Sequence, residues 1–210
     1  MPFGLSDLMA RRAERQKRKQ ELAHRIPPGQ ELTDKWPVLH YGMIPRIDLK
    51  TWTFEVIGLV EKPFVLSYQE FMALPRVVVG ADMHCVTGWS KLENQWEGVS
   101  FREIAKLAKP SPKASHALVR CYAGYDTNLP LDVIMDEDVL LAYRNDGQDL
   151  TPEHGWPLRL VVPKRYAWKS AKWVQRIDFM DHDQRGFWEQ FGYHNNADPW
   201  LEERYSWQEV

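Results

Sequence analysis

At 210 residues, with 44% hydrophobic and 27% charged residues, the chain can bury a core without disulfides or a structural metal. The net charge of −2 is uneven: residues 1–25 hold seven of the 27 basic residues and three of the 29 acidic ones, leaving the body at −6. A body of that sign argues against nucleic-acid binding, and no run of roughly 18 apolar residues offers a membrane span. Two cysteines make no disulfide framework and point to a reducing, cytoplasmic compartment. The Arg11-Arg12 pair has no apolar stretch behind it and reads poorly as an export signal. Ten tryptophans and fourteen prolines suit a β-rich or mixed domain with ordered loops.

Residues 5–24 are expected to be helical but too polar to bury much, within a basic tail spanning 1–30. A solvated helix accounts for the tail better than an RNA or lipid contact. Ile26-Pro27-Pro28-Gly29 ends it, and a folded domain is expected over 36–210, starting near Trp36. Thr51 to Val60 predicts a strand with Trp52, Phe54 and Val56 on one face. Ser67-Tyr68-Gln69-Glu70 is a capping box opening a short helix that stops at Pro75. Val77-Val78-Val79 predicts a short buried strand leading into a loop at Cys85. Ser100-Phe101-Arg102-Glu103 predicts a second capping box, its helix turning Ile104, Leu107 and Ala108 inward before Pro110. Further strands are expected at Leu118–Tyr122, Val139–Tyr143, Leu158–Val162 and Trp173–Phe179. Asn145-Asp146-Gly147-Gln148 carries the Asp-Gly hairpin signal. The last 25 residues read as aromatic-rich and irregular. At least six strands with short helices between them make an α+β domain with mostly antiparallel or mixed pairing. No glycine-rich dinucleotide or P-loop motif follows a strand, so nicotinamide and P-loop chemistry are disfavoured.

Two features could carry chemistry. Between His154 and Trp173 an apolar strand is flanked by Arg159, Lys164, Arg165, Lys169, Ser170 and Lys172. An Arg fork, a hydroxyl and Lys point charges converging on one spot suit a phosphate; the competing reading is a set of solvated surface charges. Cys85 follows an apolar strand and is either a quiet buried thiol or a reactive one. A thiolate favours a redox-active transition metal, whereas no Cys-x-x-Cys or His-x-x-x-His supports zinc. His84 would face away from Cys85 on a strand and is a weak partner for a Cys–His pair. Cys121 reads as core.

Taken together, the Cys85 loop, Gly124-x-Asp126, His154-Gly155-x-Pro157-x-Arg159-x-Val161-Val162-Pro163 and Ser170-x-Lys172-Trp173 resemble the sulfite oxidase family of molybdopterin enzymes, in particular its small bacterial branch. The aromatic stretch from Gly186 to Tyr205 is similar to that branch too. The resemblance implies a mostly β, sulfite-oxidase-type molybdopterin-binding fold and a mononuclear molybdenum–molybdopterin cofactor without haem. It implies that the Cys85 thiolate binds the metal. His154, Arg159, Ser170, Ala171 and Lys172 would hold the pterin and its phosphate, with Lys169 added to that set from the basic run, and Asp126 would accept from pterin N–H groups. The His40-Tyr41-Gly42-Met43 stretch would line the cofactor near the metal, with Tyr41, His84 and the aromatic C-terminal segment at the substrate mouth. The chain departs from sulfite oxidases in two places. Tyr41 stands where they carry a sulfite-holding Arg, and Thr127-Asn128-Leu129-Pro130 stands where they carry a tyrosine.

The expectation is therefore an oxidoreductase that transfers an oxygen atom to or from a small molecule other than sulfite, using a separate electron donor or acceptor. Two other readings stay open: a pterin-binding module without turnover, and a metal-free thiol redox protein using Cys85.

Overall fold

In a computed structural model, residues 5–209 are described. Residues 1–4 of the expected tail lie outside them. Helix α1 (Leu5–Glu21) stands at the start, held at its end by Arg18, which bridges Asp34 (3.0 Å) and Glu93 (3.2 Å). The rest of the chain builds two sheets.

The first sheet is organised by β5 (Trp89–Ser100), its longest strand. One edge pairs antiparallel with β4 (Arg76–Cys85). The other takes β1 (Glu31–Leu32) in parallel near its start and β8 (Leu140–Asn145) antiparallel near its end. β8 in turn pairs with β9 (Gln148–Asp149) and β10 (Arg159–Val161). Gly98 is required where β5 crosses β8, because a Cβ there would stand 2.1 Å from the Leu141 carbonyl oxygen. The second sheet runs β3 (Phe64–Ser67), β2 (Thr53–Gly58), β11 (Val174–Met180), β6 (His116–Cys121), β7 (Asp126–Pro130). β2 and β11 are parallel and the remaining pairs antiparallel. Short helices α2 (Tyr68–Met72), α3 (Phe101–Ala108), α4 (Leu131–Ile134) and α5 (Phe187–Gln190) join or flank them. The result is the α+β, mostly β architecture expected.

The main core gathers Trp52, Phe54, Val56, Phe71, Phe101, Ile104, Leu129, Leu160 and Ile177. Burying each large side chain is worth about 1.5–3 kcal/mol. A smaller core holds Met83, Trp96, Leu140, Ala142, Leu150 and Val161 beneath the end of β4. Ser67 and Glu70 form the reciprocal capping box that opens α2.

Several expectations are corrected. Val77–Val79 is no short buried strand: β4 is ten residues long and Val78 is 59% exposed, because one face of its first half meets solvent. Cys85 ends this strand instead of sitting in a loop. At α3, Ser100 accepts from Arg102 N, and Glu103 pairs with Lys106 (3.3 Å) instead of closing a box. Ala105 turns inward where Leu107 was expected; Leu107 is exposed. The sheet takes in chain from Glu31, ahead of Trp36. The Asp-Gly hairpin joins β8 to β9, with Asp146 at φ 49° and Gly147 at φ 75°, the left-handed pair such a turn requires.

Candidate active site

Pairing of Cys85 with Trp89 closes a tight turn, Val86-Thr87-Gly88, at the end of the β4–β5 hairpin. Gly88 adopts φ 91° and its N–H donates to the Cys85 carbonyl (2.9 Å). The turn delivers the Cys85 side chain to the floor of a cleft of about 360 Å³. Burial pushes the thiol pKa up. The Thr87 hydroxyl, donating to Sγ at 3.2 Å, opposes this, as do the charges of Arg204 and Lys172. A buried thiol with a hydroxyl donor and cations nearby is held ready to become a stabilised thiolate when a cation binds it.

One wall carries the basic set. Arg159, at the start of β10, is 2% exposed and lies between the Trp36 and Trp96 rings, 5.4 Å from each centroid. Its Nη atoms donate to the carbonyls of His154 (2.9 Å) and Ser170 (3.0 Å), while Nε is buried with no partner. Burial lowers its pKa to about 9, so it remains charged near neutrality. Lys172 Nζ donates to Leu39 O (2.7 Å) and Glu153 O (2.5 Å). Burial, aided by Arg159, lowers Lys172 to about 7. A Cβ on Gly155 would come within 3.0 Å of Arg159 Cβ and 3.1 Å of Lys172 Cβ, so glycine is what lets these two side chains stand together. Ser170 and Ala171 complete this wall.

Much of the remaining lining is aromatic. Trp36, Trp89, Tyr125, Trp168, Trp173, Trp188 and Tyr193 line the cleft. Tyr125 donates to Trp168 O (2.5 Å). Tyr41 is 51% exposed at the mouth, 4.3 Å from the Phe187 ring, and His40 lies beside it, bonded through Nδ1 to Gly42 O (2.9 Å).

Of the residues expected from sequence, Cys85, His40, Tyr41, Arg159, Ser170, Ala171 and Lys172 meet in this cleft. Four do not line it. His84 faces the back of the hairpin, as strand alternation dictates, with Nδ1 on Ser90 Oγ (2.8 Å); burial lowers its pKa to about 4. Asp126 turns away toward Arg120 (3.5 Å), while its neighbour Tyr125 faces in. His154 stacks behind Trp36 at 3.9 Å and bonds Trp36 O (3.3 Å). Lys169 is fully buried on Glu189 (2.7 Å) and on Asn128 O and Oδ1 (2.8 and 3.0 Å), so its charge is spent inside the protein. The aromatic lining was missed except as a general C-terminal signal. Trp168 and Trp173 lie in and at the end of the basic run, with Trp188 beyond it, and that clustering was the available clue.

Among the described residues, no group of three or more His, Cys, Asp or Glu side chains is placed to hold a metal by itself. The donor set fits a different guest: a metal needing one soft ligand, carried on a planar, hydrogen-bonding, anionic organic group. Cys85 supplies the thiolate, the tryptophans supply flat walls, and Lys172 with the unpartnered Arg159 Nε supplies cationic donors.

The family model of the oxidoreductase molybdopterin binding domain matches residues 41–188. An oxidoreductase of Bacillus subtilis (strain 168) described as uncharacterized, YuiH, is 45% identical over 191 residues, covering 90% of this chain and 96% of that protein. The catalytic subunit of the protein-methionine-sulfoxide reductase MsrP of Gluconobacter oxydans (strain 621H) is 32% identical over 171 residues. That match covers 70% of this chain and 54% of MsrP, so the chain spans about half of that relative's length. The solved structure of the sulfane dehydrogenase SoxCD from Paracoccus pantotrophus superposes with a TM-score of 0.63 at 24% identity, over 68% of this chain and 41% of that one, which speaks for the fold. Among the described residues no helix is long and apolar enough to cross a membrane.

Proposed function

The chain belongs to the oxidoreductase molybdopterin-binding domain family, and we propose that its cleft holds a molybdenum–molybdopterin group with Cys85 as the single protein ligand to the metal. It is an enzyme of the oxidoreductase class; the finer reading concerns which reaction it runs. The observation that carries this reading is the position of Cys85. Its buried thiol lies at the floor of a cleft whose wall presents Arg159, Ser170 and Lys172. When bound, the group supplies two-electron redox chemistry coupled to movement of an oxygen atom.

The chain's own residues do the rest. Thr87 donates to Sγ and helps hold the thiolate form. Arg159 and Lys172 present positive charge toward the pterin and its phosphate, with the Ser170-Ala171 segment beside them. His154 acts from behind by stacking on Trp36. In the cofactor-free protein burial lowers Lys172 to about 7, and an anionic group beside it would raise that value and hold the charge.

For substrate, the reading is a neutral sulfoxide or amine N-oxide. In this reading the cationic side chains lining the cleft, Arg159 and Lys172, serve the cofactor's anionic groups, and Tyr41, packed on Phe187, stands at the mouth. A sulfite dianion entering there would lose hydration without gaining a cationic partner. In the reaction an S=O or N–O bond breaks and the sulfur or nitrogen regains its lone pair. Two electrons come from a separate donor, and two protons carry the oxygen away as water. The unpaired state of Cys85 and Cys121 supports a reducing, cytoplasmic setting.

The test uses protein made in a host that synthesises molybdopterin. Elemental analysis and oxidised-pterin fluorescence are expected to show both metal and pterin. A reduced viologen dye is expected to drive reduction of sulfoxides or N-oxides. Cys85→Ala is expected to keep pterin and lose that activity. Sulfite oxidation with an artificial acceptor at micromolar KM would overturn the substrate assignment. Protein without molybdenum would overturn the whole reading in favour of a thiol enzyme.

A further inference from the structure

The Cys85 turn is bonded from both sides by residues outside the family match of 41–188. From the N-terminal side, Gln30 is 6% exposed and its Nε2 donates to the Cys85 carbonyl at 3.1 Å. The Gln30 Oε1 accepts from Ser90 Oγ (3.4 Å), whose hydroxyl also meets His84 Nδ1 (2.8 Å). Backbone bonds run alongside: Glu31 N–H to Gly88 O (2.8 Å) and Thr33 N–H to Ser90 O (2.9 Å). Further up β4, Arg25 grips Asp82 with two parallel bonds, Nε to Oδ2 at 2.9 Å and Nη2 to Oδ1 at 2.6 Å. From the C-terminal side, Arg204 Nη1 donates to Val86 O (2.5 Å), with its guanidinium 5.2 Å from the Tyr166 ring centroid. Thus the carbonyls of Cys85, Val86 and Gly88 are all engaged by the two flanks.

We propose that the two flanks of the family domain form a clamp on the metal-ligand turn, and that Gln30 and Arg204 are positioning residues that fix where Cys85 Sγ points. The proposal rests on the reading of Cys85 as the metal's ligand. The physical case is one of order: three consecutive turn residues, Val86-Thr87-Gly88, have few internal bonds to keep one conformation. A thiolate misplaced by about an ångström binds its metal poorly, and supporting hydrogen bonds are what prevent this. Charge-assisted and buried amide bonds to the turn's carbonyls supply that support from outside the hairpin.

The clamp is tested on cofactor-free protein by the rate at which a thiol reagent labels Cys85, each cysteine being followed by mass spectrometry. Cys121 is an internal control, since burial in β6 leaves it reactive only when the whole molecule opens. Gln30→Met and Arg204→Met are each expected to speed Cys85 labelling about fivefold to tenfold, the consequence of losing a buried or charged bond to the turn. Cys121 should stay at its wild-type rate. Arg204→Lys keeps a donor and is expected to restore slow labelling. In the loaded enzyme, the same Met variants are expected to shift the paramagnetic-resonance spectrum of the one-electron-reduced metal, and Arg204→Lys to return it. Unchanged Cys85 labelling in both Met variants would overturn the clamp. So would acceleration of both cysteines together, which would mean general destabilisation. These rates do not depend on metal binding, so a failure of Cys85 as ligand would be read separately, from the metal's own coordination.

Discussion

His84→Gln removes a titrating ring from the back of the Cys85 strand while leaving a polar side chain of similar reach beside Ser90. His84 is 4% exposed and its pKa falls from 6.5 to about 4 on folding, mainly through burial; Asp82 works against the shift and Arg25 with it. The unfolded chain therefore binds more protons than the folded one between about pH 4 and 6.5, so stability rises with pH across that window and is lost on acidification. A drop of that size corresponds to about 3 kcal/mol between neutral pH and pH 4, an order-of-magnitude figure for a buried ring. The neutral ring's contribution is fully present above pH 6.5 and is lost as pH falls through the folded pKa. Urea unfolding of wild type and His84→Gln at several pH values from about 7.5 to 4 isolates the effect, since the Arg25–Asp82 pair and the carboxylates are common to both. The stability of wild type relative to the variant should shrink by about 3 kcal/mol on acidification, with unchanged urea dependence. Parallel stability curves over the whole range would refute the burial argument for this ring.

Other predictions follow from the site's second layer and its mouth. Glu189→Leu alone, or Lys169→Met alone, strands a fully buried partner charge and is expected to cost about 3–5 kcal/mol in chemical unfolding; the double variant should cost much less than the sum. Lys172 carries its charge below about pH 7, so capture of the anionic cofactor by cofactor-free protein should weaken as pH rises through 7. Lys172→Met should bind weakly at every pH, as measured by retained pterin fluorescence. Tyr41→Arg places a cation at the mouth and is expected to strengthen inhibition by sulfite about tenfold, the effect of one charged hydrogen bond worth roughly 1.4 kcal/mol.

How legible the molecule was in its sequence depended on where polar residues sit. Strands with apolar buried faces, such as β2 with Trp52, Phe54 and Val56 against its core, could be read directly. β5 could not, although it is the longest strand, because Ser90 and Asn94 occupy two of its buried positions and break the alternation. β7 was hidden in the same way by Thr127 and Asn128, buried polar residues that serve the Lys169–Glu189 network. At the site, residues whose neighbours force one orientation were placed well: Arg159 opposite Leu158 and Leu160, and Cys85 opposite His84. Lys169 and Lys172 lie three apart after a turn, and spacing alone could not say which one reaches the cleft. The fold decides it by giving Lys169 a buried carboxylate and leaving Lys172 only backbone carbonyls. Most of the aromatic lining could not be assembled from sequence for another reason: it comes from segments around residues 36, 89, 125, 168 and 188, which only the tertiary structure joins.

The central claim is that Cys85 is the protein's ligand to molybdenum. X-ray absorption at the molybdenum edge, on wild type and on Cys85→Ser that retains its pterin, tests it most directly. One fewer sulfur neighbour around the metal is expected in the variant. Identical sulfur coordination in the two proteins would contradict it.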